Sequence, residues 1–168
     1  MSQLSMYNAV DALPRLLSNM EHILKKGEVN AKEREIDPEV FLNARLAPDM
    51  LPLKKQIQIA AELVKNAPYR IAGLEAPDYD TTPETFEQAY ALLARARKDC
   101  KAVSEANLNG KESREFTMKM RGNVREFTGI TYLSGFSLPN VHFHVTTSYN
   151  ILRHNGVPLG KIDYFGGS

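Results

Sequence analysis

Two histidines, two threonines, a serine and a tyrosine lie within the run His142-Phe143-His144-Val145-Thr146-Thr147-Ser148-Tyr149. A histidine can give or take a proton near neutral pH, and a neighbouring hydroxyl can hydrogen-bond to it. The run is therefore typical of proton-transfer chemistry on a small molecule, or of a polar ligand pocket. In the alternative interpretation, Phe143 and Val145 belong to the core and the polar side chains bond to the backbone or to one another.

For the chemical hypothesis we assign His144 as general acid or base, with Tyr149 or Asp49 as its hydrogen-bonding partner. The candidate ligand-binding residues are Gln56, Ser148 and His142. Asp49 has a second interpretation as the cap of the helix that follows it. Isomerisation, cyclisation or group transfer suits such groups better than hydrolysis, because the sequence offers no set of nucleophile, base and orienting residue.

The histidine spacing argues against a metal site. His142 and His144 are two residues apart and would point to opposite faces of a helix, whereas His144 and His154 would lie about 15 Å apart along its axis. We therefore assign no metal ligands and no cofactor. A divalent metal remains an alternative only if His22, one of the later histidines and a carboxylate converge.

Length and charge limit the class of protein. A chain of 168 residues with a single cysteine is predicted to be one domain over residues 1–168, without a disulfide framework. The net charge of +1 argues against nucleic acid, which requires a basic excess. No run approaches the roughly 18 apolar residues of a membrane span. With Asp11 and Pro14 near the start instead of a secretory signal, we expect a cytoplasmic protein with no membrane partner.

Apolar residues recur at intervals of three and four in several segments, which predicts helices. These segments are 6–26, ended by Gly27, then 39–45, 52–66, a helix from Thr82 to Ala106, and 139–154. Two alternating runs, 115–120 and 124–130, flank a glycine turn and predict a hairpin. The resulting fold is all-α: a four-helix bundle with a small β-hairpin inserted before the last helix.

The runs NARLAPDMLPLKKQIQIA and LPNVHFHVTTSYNILRHNGVPLGKIDYFG closely resemble a family of domains of unknown function in the DinB/YfiT-like superfamily. The resemblance implies a DinB-type four-helix bundle that is often dimeric. Better-known members of the superfamily bind a divalent metal through a helix-two histidine and a late His-x-x-x-His pair. In this sequence Gln56 occupies the position of the helix-two histidine, and Ser148 occupies the position of the second histidine of the pair.

The leading functional hypothesis is a small-molecule-binding bundle, either a binding protein or a metal-independent enzyme that uses His144. A different class of protein, a non-catalytic structural or regulatory homodimer, is the first alternative. A divergent DinB-like metalloenzyme is the second.

Overall fold

Four long helices form the body of the protein. The computed structural model describes residues 5–79, 81–120 and 122–167. The long helices are α2 (Leu13–Glu33), α4 (Leu53–Ala72), α5 (Phe86–Lys101) and α8 (Leu138–His154). The shorter elements, in chain order around them, are α1 (Met6–Asp11), α3 (Pro38–Asn43), α6 (Glu105–Leu108), β1 (Glu115–Met120), β2 (Asn123–Thr128), α7 (Gly129–Tyr132), a π-helical turn (Leu133–Ser137) and α9 (Lys161–Tyr164).

The four long helices surround one apolar core. Helix α4 packs mainly against α5 and α8, and α2 packs against the same two helices, so α2 and α4 occupy opposite corners. Each long helix buries one apolar stripe, as an amphipathic helix in a bundle should. The fully buried side chains include Leu17, Ile23, Ile57, Val64, Leu93, Val145 and Leu152. The predicted bundle with a hairpin before its last long helix is confirmed.

Two of the predicted helix ends fall short of the observed ones, and packing explains both. Helix α2 does not stop at Gly27 but continues to Glu33, because the missing side chain lets the helix approach Leu152 of α8. Helix α4 continues through Pro68 and ends at Gly73, which has a left-handed φ of 76°. Both Pro68 and Ile71 are buried, so the last turn gains core contacts that offset the hydrogen bond lost at the proline.

The start of α5 also differs from the prediction. The expected cap at Thr82 is replaced by Thr85, whose hydroxyl accepts a hydrogen bond from the backbone N–H of Gln88. Capping by a threonine is what the sequence indicates, but several threonines lie close together at 81, 82 and 85. Thr82 instead hydrogen-bonds to Gln58 on α4 through its hydroxyl.

The hairpin is joined to α8 by an irregular helical stretch. Strand β2 ends at Thr128, not at Ile130, because Thr128 and Thr131 form a reciprocal capping box that starts α7. The antiparallel register pairs Phe116 with Phe127, and both rings pack on Tyr132. The π-helical turn then leads into α8.

No helix of the described residues is long and apolar enough to cross a membrane. The one cysteine, Cys100, is buried in α5 and makes no disulfide. Burial raises the pKa of the Cys100 thiol to about 12, so the reactive thiolate is not populated at neutral pH.

Gly129 is the tightest point of the junction between hairpin and helix. A Cβ atom there would lie 2.1 Å from the backbone oxygen of Lys111, an overlap that no side-chain rotation can relieve. We predict that Gly129→Ala lowers the free energy of unfolding by about 2 kcal/mol or more, measured by urea denaturation.

Gly135, in the π-helical turn, is the matched control, because a Cβ atom there meets no heavy atom within 4 Å. Gly135→Ala should leave stability unchanged or raise it by up to about 1 kcal/mol. Equal stabilities for the two variants would contradict the close approach at Gly129.

Candidate functional site

His144 lies on the side of α8 that faces α4, and its side chain is half-buried. Its neighbour Phe143 is 57% exposed and sets its ring edge-on to the imidazole, with 5.3 Å between ring centroids. Val141 and Val145, on either side in sequence, are fully buried. The imidazole therefore sits at the boundary between the core and the solvent.

A hydrogen-bonded chain fixes the orientation of the imidazole. The Nε2 atom of Gln56 donates to the backbone oxygen of Leu51 at 3.0 Å, which leaves Oε1 of the same amide facing Nδ1 of His144 at 2.6 Å. An amide oxygen only accepts, so Nδ1 must carry the proton. Gln56 is 2% exposed, and burial together with the bond to Leu51 holds its amide in place.

The second ring nitrogen of His144 is then unprotonated in the neutral ring. Within the described ranges, Nε2 makes no hydrogen bond to the protein. Burial lowers the pKa of His144 below its ordinary value, because the charged imidazolium loses hydration in this environment. At neutral pH the side chain is thus a neutral imidazole that presents a lone pair at Nε2.

We name His144, Gln56, Leu51 and Phe143 together the His144 site. Phe143 is the exposed apolar side chain that contacts the imidazole, and Leu51 takes part through its backbone oxygen, which holds the amide of Gln56. An exposed aromatic ring beside one hydrogen-bond acceptor is a combination common in small-ligand sites.

Ser148 is close to His144 in the helix but does not touch its ring. Its hydroxyl is fully buried and donates to the backbone oxygen of His144 at 2.8 Å. Thr147 does the same with the backbone oxygen of Phe143 at 2.7 Å. Each hydroxyl thus has its hydrogen-bond acceptor in the preceding turn of α8.

The other predicted residues lie away from this group. The hydroxyl of Tyr149 donates to the backbone oxygen of Leu159 at 3.4 Å. Nδ1 of His142 hydrogen-bonds to the hydroxyl of Tyr164 at 2.8 Å. Both contacts fix the C-terminal segment on α8 instead of reaching His144. Asp49 is exposed, and no hydrogen bond or ion pair among the described residues involves its carboxylate.

Sequence reasoning missed the residues that hold the C-terminal segment. Asp163 accepts from Lys26 at 2.7 Å, from the backbone N–H of Gly160 at 2.8 Å and faces Nε2 of His22 at 3.3 Å. These donors, with Lys26 foremost, lower the pKa of Asp163 to about 2. No spacing signal links residues 137 positions or more apart along the chain, so only the fold could reveal the cluster.

The larger cavities lie elsewhere on the molecule. One cavity of about 530 Å³ lies beside the hairpin and is lined by Phe116, Phe127 and Thr131 among others. None of the five main cavities formed by the described residues is lined by His144 or Gln56. The polar ligand pocket that the sequence predicts around His144 is therefore not among these cavities.

The residues at the His144 site do not fit a metal ion. Among residues 5–79, 81–120 and 122–167, no group of three or more His, Cys, Asp or Glu side chains could hold one. The hydroxyl of Ser148 is used in its bond to the helix backbone, and the oxygen of Gln56 is used by the imidazole. Metal sites in proteins need several converging donors, and here one imidazole nitrogen stands alone.

The lowered pKa of His144 predicts a pH dependence of stability. The imidazole takes up a proton near pH 6.5 in the unfolded state, whereas in the folded state it resists protonation. The contribution of the neutral imidazole to the free energy of unfolding is therefore complete above pH 6.5, and it is lost as the pH falls through the lower pKa of the folded state. We predict that the free energy of unfolding of the wild type falls more steeply between pH 7.5 and pH 5 than that of His144→Asn, measured by urea denaturation.

His144→Asn is the suitable variant because the asparagine amide nitrogen occupies a position equivalent to Nδ1 and can still donate to Gln56. His154→Asn, at the exposed end of α8, is the control and should retain the wild-type slope. A steeper loss of stability in His144→Asn than in the wild type would contradict the direction of the pKa shift.

Comparison with known proteins places this geometry in a family. No curated protein matches the chain. Among solved structures, the chain is similar to the crystal structure of a DinB family member protein from Shewanella denitrificans, with a TM-score of 0.85 and 32% sequence identity, over 95% of this chain and 91% of that one. A protein family described as a domain of unknown function, DUF1993, matches residues 6–165. Because that match covers nearly the whole chain, the protein belongs to the DUF1993 family, and its helical bundle is DinB-like.

Proposed function

We propose that the protein binds a small molecule at the His144 site, through a hydrogen bond from the ligand to Nε2 of His144. The observation that carries the proposal is the tautomer: Gln56 holds the proton on Nδ1, so Nε2 is an acceptor at the protein surface. Nε2 has no partner among the described residues, so a ligand hydroxyl or N–H can donate to it in place of water.

The surroundings specify the rest of the ligand. Phe143 exposes apolar surface next to the imidazole, so a ligand with an apolar group next to its donor fits best. No carboxylate or ammonium group contacts the imidazole within the described residues, which favours an uncharged ligand at this position.

The same nitrogen could act as a general base. A neutral imidazole with one nitrogen fixed by a buried amide can accept a proton from a bound hydroxyl or an acidic C–H at Nε2. The resulting imidazolium would keep its Nδ1 proton in the hydrogen bond to Gln56, because an amide oxygen accepts a hydrogen bond but is not protonated. We therefore propose proton transfer of the isomerase, cyclase or transferase type as the chemistry open to the site. Tyr149, Asp49, Ser148 and His142 remain predicted participants only through a rearrangement, since their present contacts lead elsewhere.

Phenol and anisole test the proposal, because they share an aromatic ring and only phenol has a donor. We predict that phenol at millimolar concentration shifts the ring resonances of His144 in NMR spectra, and that anisole does not. His144→Asn should abolish the phenol response of neighbouring amides by removing Nε2, and His154→Asn should preserve it.

Equal shifts with phenol and anisole would show that only apolar contact is involved. The absence of any response at His144, with the wild-type fold intact by circular dichroism, would refute binding at Nε2.

A homodimer is the second candidate function, and exposed apolar side chains favour it. Ile162 of α9 is 67% exposed and Phe143 of α8 is 57% exposed. Tyr164 and His142, which lie close to them in sequence, form the hydrogen bond that ties α9 to α8. Exposed apolar surface of this kind is common at protein–protein contacts. In this function the polar groups of α8 serve packing, and cytoplasmic location remains a prediction for both functions.

Sedimentation equilibrium tests the dimer. We predict a concentration-dependent dimer for the wild type and a shift of at least tenfold toward the monomer for Phe143→Ser/Ile162→Ser. Val124→Ser, which removes an exposed apolar side chain from the hairpin, should leave the association unchanged. A monomeric wild type at 100 μM, about the upper range of a useful affinity, would exclude this function.

A further inference from the structure

A cleft between α2 and α5 gathers cations from both helices. Its volume is about 420 Å³, and Arg15 lies on the α2 side whereas Arg97, Lys98 and Lys101 lie on the α5 side. Asp11 is the one carboxylate in its lining. Four cations against one carboxylate is a strong local excess in a chain whose net charge is +1. We call this feature the α2–α5 cleft.

Most of these cations lack a counterion. Within the described part of the chain, no carboxylate oxygen lies within 4 Å of the charged groups of Arg15, Lys98 or Lys101. Arg97 pairs with Glu21 at 2.7 Å, but Glu21 also binds Lys25 at 2.6 Å, so one carboxylate serves two cations. The local charge excess is therefore not neutralised inside the protein.

Arg97 carries a further unsatisfied group. Its Nη1 atom is buried and has no hydrogen-bond partner among the described residues, whereas Nη2 binds Glu21. A buried guanidinium N–H without an acceptor is unfavourable. Arg97 lines the cleft, so an anion bound there would offer its guanidinium group an acceptor in addition to Glu21.

The helix dipoles do not explain the cluster. Lys98 and Lys101 lie in the last turn of α5, where a cation interacts favourably with the helix dipole. Arg15, however, lies in the first turn of α2, where the dipole is positive and a cation is disfavoured. That turn contains no acidic residue, and no side chain caps it. Lys98 and Lys101 also stand three residues apart on one helix, where like charges repel.

We propose that the α2–α5 cleft binds the phosphate group of a phosphorylated small molecule. A multiply charged oxyanion would offset the repulsion among the cations, and a guanidinium matches phosphate oxygens in a bidentate geometry. The volume is that of a small-ligand site, and the near-neutral net charge of the whole chain is unsuited to a nucleic acid duplex. The cleft lies on the α2–α5 edge of the bundle, away from the His144 site on the α4–α8 edge, so the two proposals are independent.

Pyrophosphate is the probe, measured by isothermal titration calorimetry at 50 mM NaCl. Arg15→Gln/Lys98→Gln removes one arginine and one lysine from the cleft. Lys119→Gln/Arg125→Gln removes the same two residue types from exposed positions of the hairpin and changes the net charge equally. We expect the dissociation constant for pyrophosphate to rise at least tenfold in the cleft variant and less than twofold in the hairpin variant.

Equal weakening in both variants would mean diffuse attraction to a positive protein and would overturn the proposal, as would the absence of pyrophosphate binding to the wild type. Lys98→Gln/Lys101→Gln changes two exposed side chains of α5 and provides the same test if the first cleft variant does not fold.

Two further ligands separate phosphate from other anions. Succinate bound as tightly as pyrophosphate would overturn the phosphate assignment in favour of a dicarboxylate. If the protein binds vesicles of phosphatidylcholine and phosphatidylserine but not pyrophosphate, the assignment of a free phosphorylated ligand is overturned and a lipid surface is favoured. Weak binding of succinate and of the lipid vesicles, together with tight binding of pyrophosphate, supports the proposal.

Discussion

Every polar group that α8 carries into the bundle must find a hydrogen-bond partner there, because the helix interfaces exclude water. Thr147 and Ser148 meet this requirement within the helix, each through the backbone oxygen four residues earlier. His144 cannot do so, and it is paired across the interface with Gln56 of α4. The imidazole orientation thus follows from the packing of α8 on α4, and that packing in turn depends on the apolar stripe that includes Val141, Val145 and Leu152.

The bundle was predictable because its signal is local. Apolar residues at helical intervals mark each long helix, and the alternating runs on either side of Gly122 mark the hairpin. The two errors at helix ends in α2 and α4 occur where packing overrides a local preference. Gly27 usually would end a helix, yet its position against Leu152 keeps it inside α2. Pro68 usually would end one too, but the burial of the following turn carries α4 to Gly73.

The candidate site was predictable in part. Residue types and the family resemblance together singled out His144 and Gln56, which the fold brings to hydrogen-bonding distance although they are 88 positions apart. The proposed partners Tyr149 and His142 lie on the same helix as His144, but they face the C-terminal segment. The direction in which these two side chains point depends on how the C-terminal segment folds back onto α8. Tyr164, which contacts His142 from that segment, lies in a helix of four residues, too short to show apolar periodicity.

The pair formed by His144 and Gln56 contains only part of a metal-binding arrangement. A metal-ligating histidine commonly donates Nδ1–H to a neighbouring acceptor and offers Nε2 to the ion, and His144 has this arrangement. The missing parts are the other ligands, since the oxygen of Gln56 is the acceptor itself and Ser148 bonds to the backbone. What remains is an oriented imidazole with one available nitrogen, a lowered pKa and an exposed phenyl ring beside it. Such a group acts on one hydrogen at a time, so hydrogen bonding and proton transfer are the chemistry that this arrangement supports.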